Sequence, residues 1–135
     1  MALTVERDIE IRGERPAVEA TTLQAALILL QGSMAMHVAG EVRKVTTGVA
    51  GSVLLGIAAR TYDAAVATTW SSPQMTFRRG CVPLAGKAGN LPTQALINTM
   101  IRLVDENTVS NEAIGGNDLS VKLVAIDGSD YWVEF

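Results

Sequence analysis

The feature that most constrains the fold is the way glycine, proline and turn pairs divide the chain into short segments. Twelve glycines and four prolines are spread over the 135 residues. Segments of this length suit β-strands, which usually have about 5–6 residues, better than helices, which need about 12 or more to be stable. Roughly eight short strands with regular turns predict a mostly β domain, either a small β-barrel or a β-sandwich, with one short helix.

The clearest local signal is a hairpin. Two extended runs, residues 33–38 and 41–46, flank the pair Ala39-Gly40. Gly40 supplies the positive φ that a tight two-residue turn requires, although Ala39 suits such a turn less well than Asn or Asp.

Two further regions have strand signals. The apolar run at residues 53–59 predicts a buried strand, in which Gly56 marks a bulge or a close backbone approach. Near the C-terminus, residues 120–126 and 131–135 flank an Asp-Gly turn and predict a second hairpin.

The N-terminus alternates polar and apolar residues. In residues 3–12 this pattern places Ile9 and Ile11 on one face of an extended strand, which Gly and Pro then break. We therefore expect residues 1–15 to form an N-terminal arm or strand and residues 16–135 to form a single β domain.

Two segments have helical composition, but both are short. Residues 22–30 contain good helix formers and end before Gly32, so a marginal helix is one interpretation. Residues 92–98 begin with Pro, which suits a first helical turn, and predict one or two turns of helix.

No membrane or secretion signal is expected. The first fifteen residues are rich in acids, whereas a secretory signal needs a positive start and an apolar stretch. The charge-free window at residues 20–40 contains a purely apolar run only at residues 25–30, far short of the ~20 residues that span a bilayer.

Composition excludes several classes of protein. With 48% hydrophobic and 19% charged residues, the chain should fold. Cys81 and His37 are the only residues of their types, so neither an intrachain disulfide nor a structural zinc site with about four ligands is expected, and no cofactor is predicted. A net charge of −3 gives no general attraction to nucleic acid.

The charge is unevenly distributed along the chain. Residues 1–40 carry −2 (five acids, three bases), residues 41–104 carry +5 (two acids, seven bases) and residues 105–135 carry −6 (seven acids, one base). The basic pairs Arg78-Arg79 and Arg43-Lys44 form either a solvated face or a docking patch for an acidic surface.

Catalytic motifs are weak, and no enzymatic activity is predicted. A Walker A loop has four residues between its first Gly and its Gly-Lys pair, whereas five separate Gly80 from Gly86, and Ala88 stands where Ser or Thr is needed. His37 could act as a general base, but the sequence contains no Gly-x-Ser-x-Gly motif that would supply a serine nucleophile for it. Cys81 lies in an apolar run and is interpreted as a small buried hydrophobe.

Short turn and strand motifs are spread in order over residues 25–135. They are Gln31-Gly32-Ser33, Ala39-Gly40, Gly51, Leu55-Gly56-Ile57-Ala58, Tyr62-Asp63, Arg79-Gly80-Cys81-Val82, Val104-Asp105, Asn107-Thr108-Val109 and Trp132-Val133-Glu134. In this order they resemble the small capsid decoration proteins of tailed phages, which are also called cement or head-stabilising proteins.

The resemblance implies a compact, mostly β domain without enzymatic activity. Such a domain binds the major capsid protein on the outer face of an assembled phage or prophage head, commonly as a homotrimer. It would be assembled in the bacterial cytoplasm and located on the exterior of the virion. The alternative is a non-enzymatic ligand-binding or adhesion β-barrel adaptor.

The alternating segment before the resembling region suggests a contact surface. An unpaired strand can add to the sheet edge of a neighbour, so we expect this segment to contact the capsid or an adjacent subunit. The predicted contact residues are Thr4, Arg7, Ile9, Ile11, Arg12, Arg78 and Arg79. Charge asymmetry and the apolar run at residues 27–30 also led us to expect an oligomer.

Overall fold

The structure is a computed structural model, and it describes residues 6–20, 23–24, 27–63 and 75–135. These residues contain eleven strands and one 3₁₀ turn at Gln94–Leu96. The strands are β1 (Arg12–Ala20), β2 (Ile28–Leu29), β3 (Met34–Val38), β4 (Glu41–Lys44), β5 (Ser52–Ala58), β6 (Tyr62–Asp63), β7 (Met75–Gly86), β8 (Met100–Asp105), β9 (Thr108–Ser110), β10 (Ser120–Asp127) and β11 (Asp130–Glu134).

Five of these strands form a closed barrel. The main sheet has the order β11-β10-β8-β9-β7-β5-β3-β4, and an additional pairing of β11 with β7 closes the first five strands on themselves. Among the described strands, every ladder is antiparallel except the short pairing of β7 with β9. The prediction of a mostly β domain with a small barrel and one short helical turn is confirmed.

Strand β7 organises the molecule because it belongs to both halves of it. Its first half pairs with β1 and β5, and its second half pairs with β11 and β9. At Gly80, where φ is 147°, a Cβ would lie 2.7 Å from Ile11 Cγ2 and 3.0 Å from the Arg12 carbonyl oxygen. The glycine therefore lets the N-terminal residues cross β7 closely.

The predicted hairpins are both present. Strands β3 and β4 pair with Val38 opposite Glu41, and the turn residues Ala39 and Gly40 have φ of 52° and 79°. Positive φ at both central positions is the geometry of a type I′ turn, so Ala39 accepts a backbone conformation that usually favours Asn, Asp or Gly. Strands β10 and β11 form the second hairpin.

Gly56 has both roles that the sequence predicted for it. The β3–β5 ladder shifts register where Ala35 pairs with Gly56 and Met36 pairs with Leu54, which marks a bulge. A Cβ at Gly56 would lie 2.5 Å from the carbonyl oxygen of Arg78 on β7. The bulge and the close approach therefore occur at the same residue.

The described residues form two hydrophobic cores. The larger core fills the barrel and extends beneath β3 and β5; its largest fully buried side chains are Met34, Met36, Ile57, Leu84, Leu103 and Leu123. The smaller core lies between β2, β6 and the first half of β7 and contains Leu27, Leu29, Ala35, Val42, Leu55, Ala58, Tyr62, Met75 and Phe77.

The sequence predicted an N-terminal arm or strand over residues 1–15, and the strand that forms has other bounds. Residues 6–11 are irregular, and the strand instead runs from Arg12 to Ala20, across the expected boundary between residues 15 and 16. β1 pairs with β7 alone among the described strands, and its ladder shifts register twice, so this edge position accommodates both Gly13 and Pro16. Residues 3–5 lie outside the described part of the chain.

A marginal helix, one interpretation of residues 22–30, is absent from the part of this run that the structure describes. Leu27 and Leu29 are buried while Ile28 is 51% exposed, which is the alternation of a strand. Leu29 pairs with Tyr62 of β6, so a tertiary partner overrides the helix propensity of this run. Residues 22, 25 and 26 lie outside the described residues, and the helix expected at residues 92–98 is a single 3₁₀ turn.

Candidate interaction surface and adjoining pocket

The N-terminal segment, residues 6–11, is docked on the body of the protein. The amide of Arg7 donates to the carbonyl of Gln31 at 3.1 Å, and the hydroxyl of Thr61 donates to the Glu6 carboxylate at 2.5 Å. Ile9 is only 8% exposed and belongs to the larger core. Ile9 is thus buried within its own chain.

The other predicted apolar contact, Ile11, is half-buried and packs against the same core. Thr4 lies outside the described residues. The N-terminal segment therefore uses its isoleucines for folding, and its remaining surface is polar.

Strand β1 behaves differently from the segment that precedes it. The six residues 12–17, which we name the β1 projection, are all exposed although they lie in a strand. A strand that packs on one face alternates buried and exposed residues, so the exposure of every residue here means that neither face of this part of β1 is buried in a core. Much of its surface is left uncovered by the described residues.

Two arginines connect the β1 projection to β11. The Arg12 guanidinium lies over the Trp132 ring, 3.6 Å from its centroid, and its Nε is 3.3 Å from Glu10 Oε1. Arg15 forms an ion pair with Glu134. These contacts fix the root of the projection on the strand that closes the barrel.

Arg78 is also paired within the chain. Its Nε and Nη2 donate to the two carboxylate oxygens of Glu14 at 3.0 and 3.2 Å. This hydrogen bonding lowers the pKa of Glu14 and raises the pKa of Arg78. Arg79 is half-buried, lies opposite Arg15, and has a buried Nε without a hydrogen-bond partner among the described residues.

A second charge network ties the loop at residues 111–119 to the barrel. Lys87 Nζ donates to Glu112 Oε1 at 2.7 Å, and Arg102 lies 3.5 Å from Glu112 and 3.1 Å from Asp118. Bases from residues 41–104 thus form ion pairs with acids from residues 105–135 within one chain. In this part of the molecule the opposite charges of the two segments neutralise each other.

Asp118 is the centre of this network. Its carboxylate accepts hydrogen bonds from the amides of Gly115 and Gly48, both at 2.9 Å. The Gly115 hydrogen bond contributes most to lowering the pKa of Asp118, and Gly48 and Arg102 act in the same direction. Asp118 therefore joins two loops that are far apart in sequence.

A pocket of about 520 Å³ adjoins the docked segment. Arg7 lies on one side, and the turns at Asn107 and Gly128, the loop that carries Leu91 and the end of β7 form the rest. The lining residues are Arg7, Leu84, Ala85, Gly86, Leu91, Asn107, Gly128, Ser129, Asp130 and Tyr131. Leu84 and Tyr131 are buried, whereas Leu91 is 49% exposed at the rim.

The two residues considered for catalysis lie apart from this pocket's lining. Cys81 is half-buried, and burial together with Glu134 raises the pKa of its thiol, which favours the protonated and less reactive form. His37 is half-buried in β3 opposite Val42 and Val53.

Within the described ranges, no three His, Cys, Asp or Glu side chains come together as metal ligands. The 3₁₀ turn is the one helical element there, so no helix in these ranges could span a bilayer.

No family model, curated protein or solved structure matches this chain.

Sequence reasoning identified Arg7 but missed its pocket and the Asp118 network. Both are built from turns that lie close together in the fold, and the sequence alone does not predict which turns are neighbours. One signal was present, because the turns at Asn107 and Gly128 were identified and turns in a small barrel gather at its ends.

Proposed function

We propose that the chain is a capsid decoration protein. In this proposal it binds the major capsid protein on the outer face of an assembled phage head, as a homo-oligomer for which a trimer is favoured, and stabilises the head. The binding is non-enzymatic and places the protein on the exterior of the virion.

The observation that carries this proposal is where the motifs of the resemblance lie in the fold. The stretch at residues 79–82 belongs to β7 and the stretch at residues 132–134 belongs to β11. The two are about fifty residues apart in sequence, yet they pair directly, with Cys81 opposite Glu134 and Val82 opposite Val133. These motifs therefore form the seam that closes the barrel, which supports a resemblance that extends over the whole domain.

The β1 projection supports a protein lattice as the partner. Its residues are all exposed, and its outer edge is unpaired among the described strands. A partner strand or flat protein surface would bury this edge, and weak contacts of this kind become strong when many copies bind one lattice. We therefore place the capsid contact at the β1 projection, with the docked segment holding the projection in position.

Co-sedimentation with heads tests the proposal. The proposal predicts that a major capsid protein is encoded beside this chain; heads would be assembled from that protein, without the chain itself, and pelleted after mixing with the purified chain. Saturable binding at a fixed ratio to capsid protein is expected. Protein that stays in the supernatant at every concentration would contradict the proposal.

A double variant locates the contact. Removing residues 2–13 would also remove buried Ile9 and confuse folding with binding, so Arg12→Gln with Arg15→Gln is the sharper change. We expect this variant to fold and to bind heads more weakly. The matched control is Lys44→Gln with Lys122→Gln, which removes the same charge from exposed strand positions on β4 and β10 and should bind normally.

The pocket favours a second candidate function, a ligand-binding β-barrel. Pockets of this volume with apolar walls and a few polar groups are typical of small-molecule sites. A chain that fails to bind heads but binds a small ligand in this pocket would support this candidate.

A further inference from the structure

Arg7 is a half-buried cation that the described residues satisfy only in part. Its Nη1 donates to the Pro83 carbonyl at 3.3 Å and its Nη2 to the Gly32 carbonyl at 3.4 Å. Both distances exceed the usual 2.9–3.0 Å of such bonds. Its Nε is buried and has no hydrogen-bond partner in the described part of the chain.

No carboxylate of the described residues contacts this guanidinium. Asp130 favours its charged form through space, but the two side chains do not form an ion pair. Burial acts against the charge and lowers the pKa of Arg7. Because a partly buried cation is stabilised by a contacting anion, this position suits a carboxylate from outside the chain.

Part of the pocket wall is apolar, although Asn107, Ser129 and Asp130 also line the pocket. Leu84 and Tyr131 form a buried floor, and Leu91 stands 49% exposed at the rim. Leu91 and Tyr131 pack closely against the Gly86 backbone, since a Cβ there would lie 2.6 Å from both the Leu91 Cδ2 and the Tyr131 ring. A ligand that contacts both Arg7 and these walls needs a charged end and an apolar body.

We propose that this pocket binds a small carboxylate with an apolar body. The carboxylate pairs with Arg7, and the apolar part lies against Leu84, Leu91 and Tyr131. This inference stands independently of the proposed capsid function, because it depends on the pocket and not on the β1 projection.

A ligand series on the full-length, ¹⁵N-labelled chain tests the proposal by NMR. The probes are hexanoate, hexanol and hexylamine, which share their apolar body and differ in the charge of the head group. Hexanoate should shift the Arg7 Nε–H signal and the amides of Gly86 and Gly128 saturably. It should bind on the order of tenfold more tightly than hexanol, a difference of about 1.4 kcal/mol, because its carboxylate can form charge-assisted hydrogen bonds with Arg7.

Variants separate charge from shape. Arg7→Gln should lose the preference for hexanoate over hexanol, and Asp130→Asn should tighten hexanoate binding about twofold or more because it removes a nearby negative charge. Lys122→Gln, a change of the same charge on an exposed strand position, should leave binding unaltered. If Arg7→Gln fails to fold, Asp130→Asn and Leu91→Glu still decide the question, since Leu91→Glu should weaken hexanoate binding.

Three results would overturn the proposal. They are equal binding of hexanoate and hexanol, shifts that lie away from the lining residues, and an Asp130→Asn variant that binds hexanoate no more tightly than the unaltered chain.

Discussion

Residues 6–11 and strand β1 are neighbours in sequence, yet they are attached to the barrel in opposite ways. The first segment is irregular, but it places Ile9 in the larger core and Arg7 against two backbone carbonyls. The second is a strand whose ladder with β7 shifts register twice, and its residues 12–17 are exposed throughout. Strand formation and burial are therefore separate properties here, and we expect stability to depend on the first segment and binding on the second.

The largest expected effect comes from the docked segment. Ile9→Ala removes buried methyl groups from the larger core and should destabilise the protein by about 3 kcal/mol. Val18→Ala, at a half-buried position of β1, should cost about 1 kcal/mol or less. Urea unfolding of the two variants measures the difference, and equal losses would break the comparison.

The crossing at Gly80 should come next. Gly80→Ala places a Cβ against Ile11 and the Arg12 backbone at a φ of 147°, so we expect a loss of about 2 kcal/mol or more. Gly13 has a φ of 57° and open space around it, so Gly13→Ala should cost only about 1 kcal/mol, the price of the left-handed conformation. Urea unfolding of both variants compares the close approach and the φ of 147° at Gly80 together with the left-handed conformation alone at Gly13, and similar losses would argue against a tight crossing.

The Glu14–Arg78 pair should make β1 sensitive to acid. Because the pKa of Glu14 is lowered in the folded state, its stabilising effect is present above the unfolded pKa and is lost as the pH falls through the folded pKa. Glu14→Gln should therefore melt below the unaltered chain at neutral pH, and the two melting temperatures should converge in acid.

Asp118→Asn is the change outside the N-terminal region with which Glu14→Gln is compared, since each replaces a carboxylate with an amide. The pKa of Asp118 is lowered in the same direction, but its side chain is 8% exposed against 46% for Glu14, so solvent screens it less. Thermal melts against pH should show the larger effect for Asp118→Asn. A larger effect of Glu14→Gln would mean that the attachment of β1 to β7 contributes more to stability than the exposure of β1 indicates.

The smallest effect is expected at Arg12. Arg12→Gln removes the contact with the Trp132 ring and should cost about 0.5 kcal/mol, since the arginine is largely exposed. Urea unfolding provides the measurement. A loss above about 2 kcal/mol would show that β1 is an integral part of the fold.

The hairpins, the bulge at Gly56 and the barrel class were predictable because each depends on local turn chemistry or alternation. The bounds of β1 were not, since Gly13 and Pro16 usually end a strand and here are accommodated at an edge with register shifts. Leu27 and Leu29 were assigned to a helix because periodicity cannot distinguish a helix from a strand in a short apolar run. Pairing with β6 makes this run a strand.

The candidate site was predictable only in part. The sequence indicated Arg7, Arg12 and Arg78 through charge and position, but which carboxylate or ring each would meet depends on long-range pairing. Leu27 and Leu29 are buried in the smaller core, so the apolar run at residues 27–30 no longer supports an oligomer. The expectation of an oligomer now depends on the uneven charge of the sequence.

Cryo-electron microscopy of phage heads assembled with and without the chain tests the central claim most directly. The account predicts extra density on the outer face that fits the barrel, with residues 12–17 facing the major capsid protein. Heads that look identical with and without the chain would contradict the function, and a bound barrel whose β1 projection points into solvent would contradict the assigned surface.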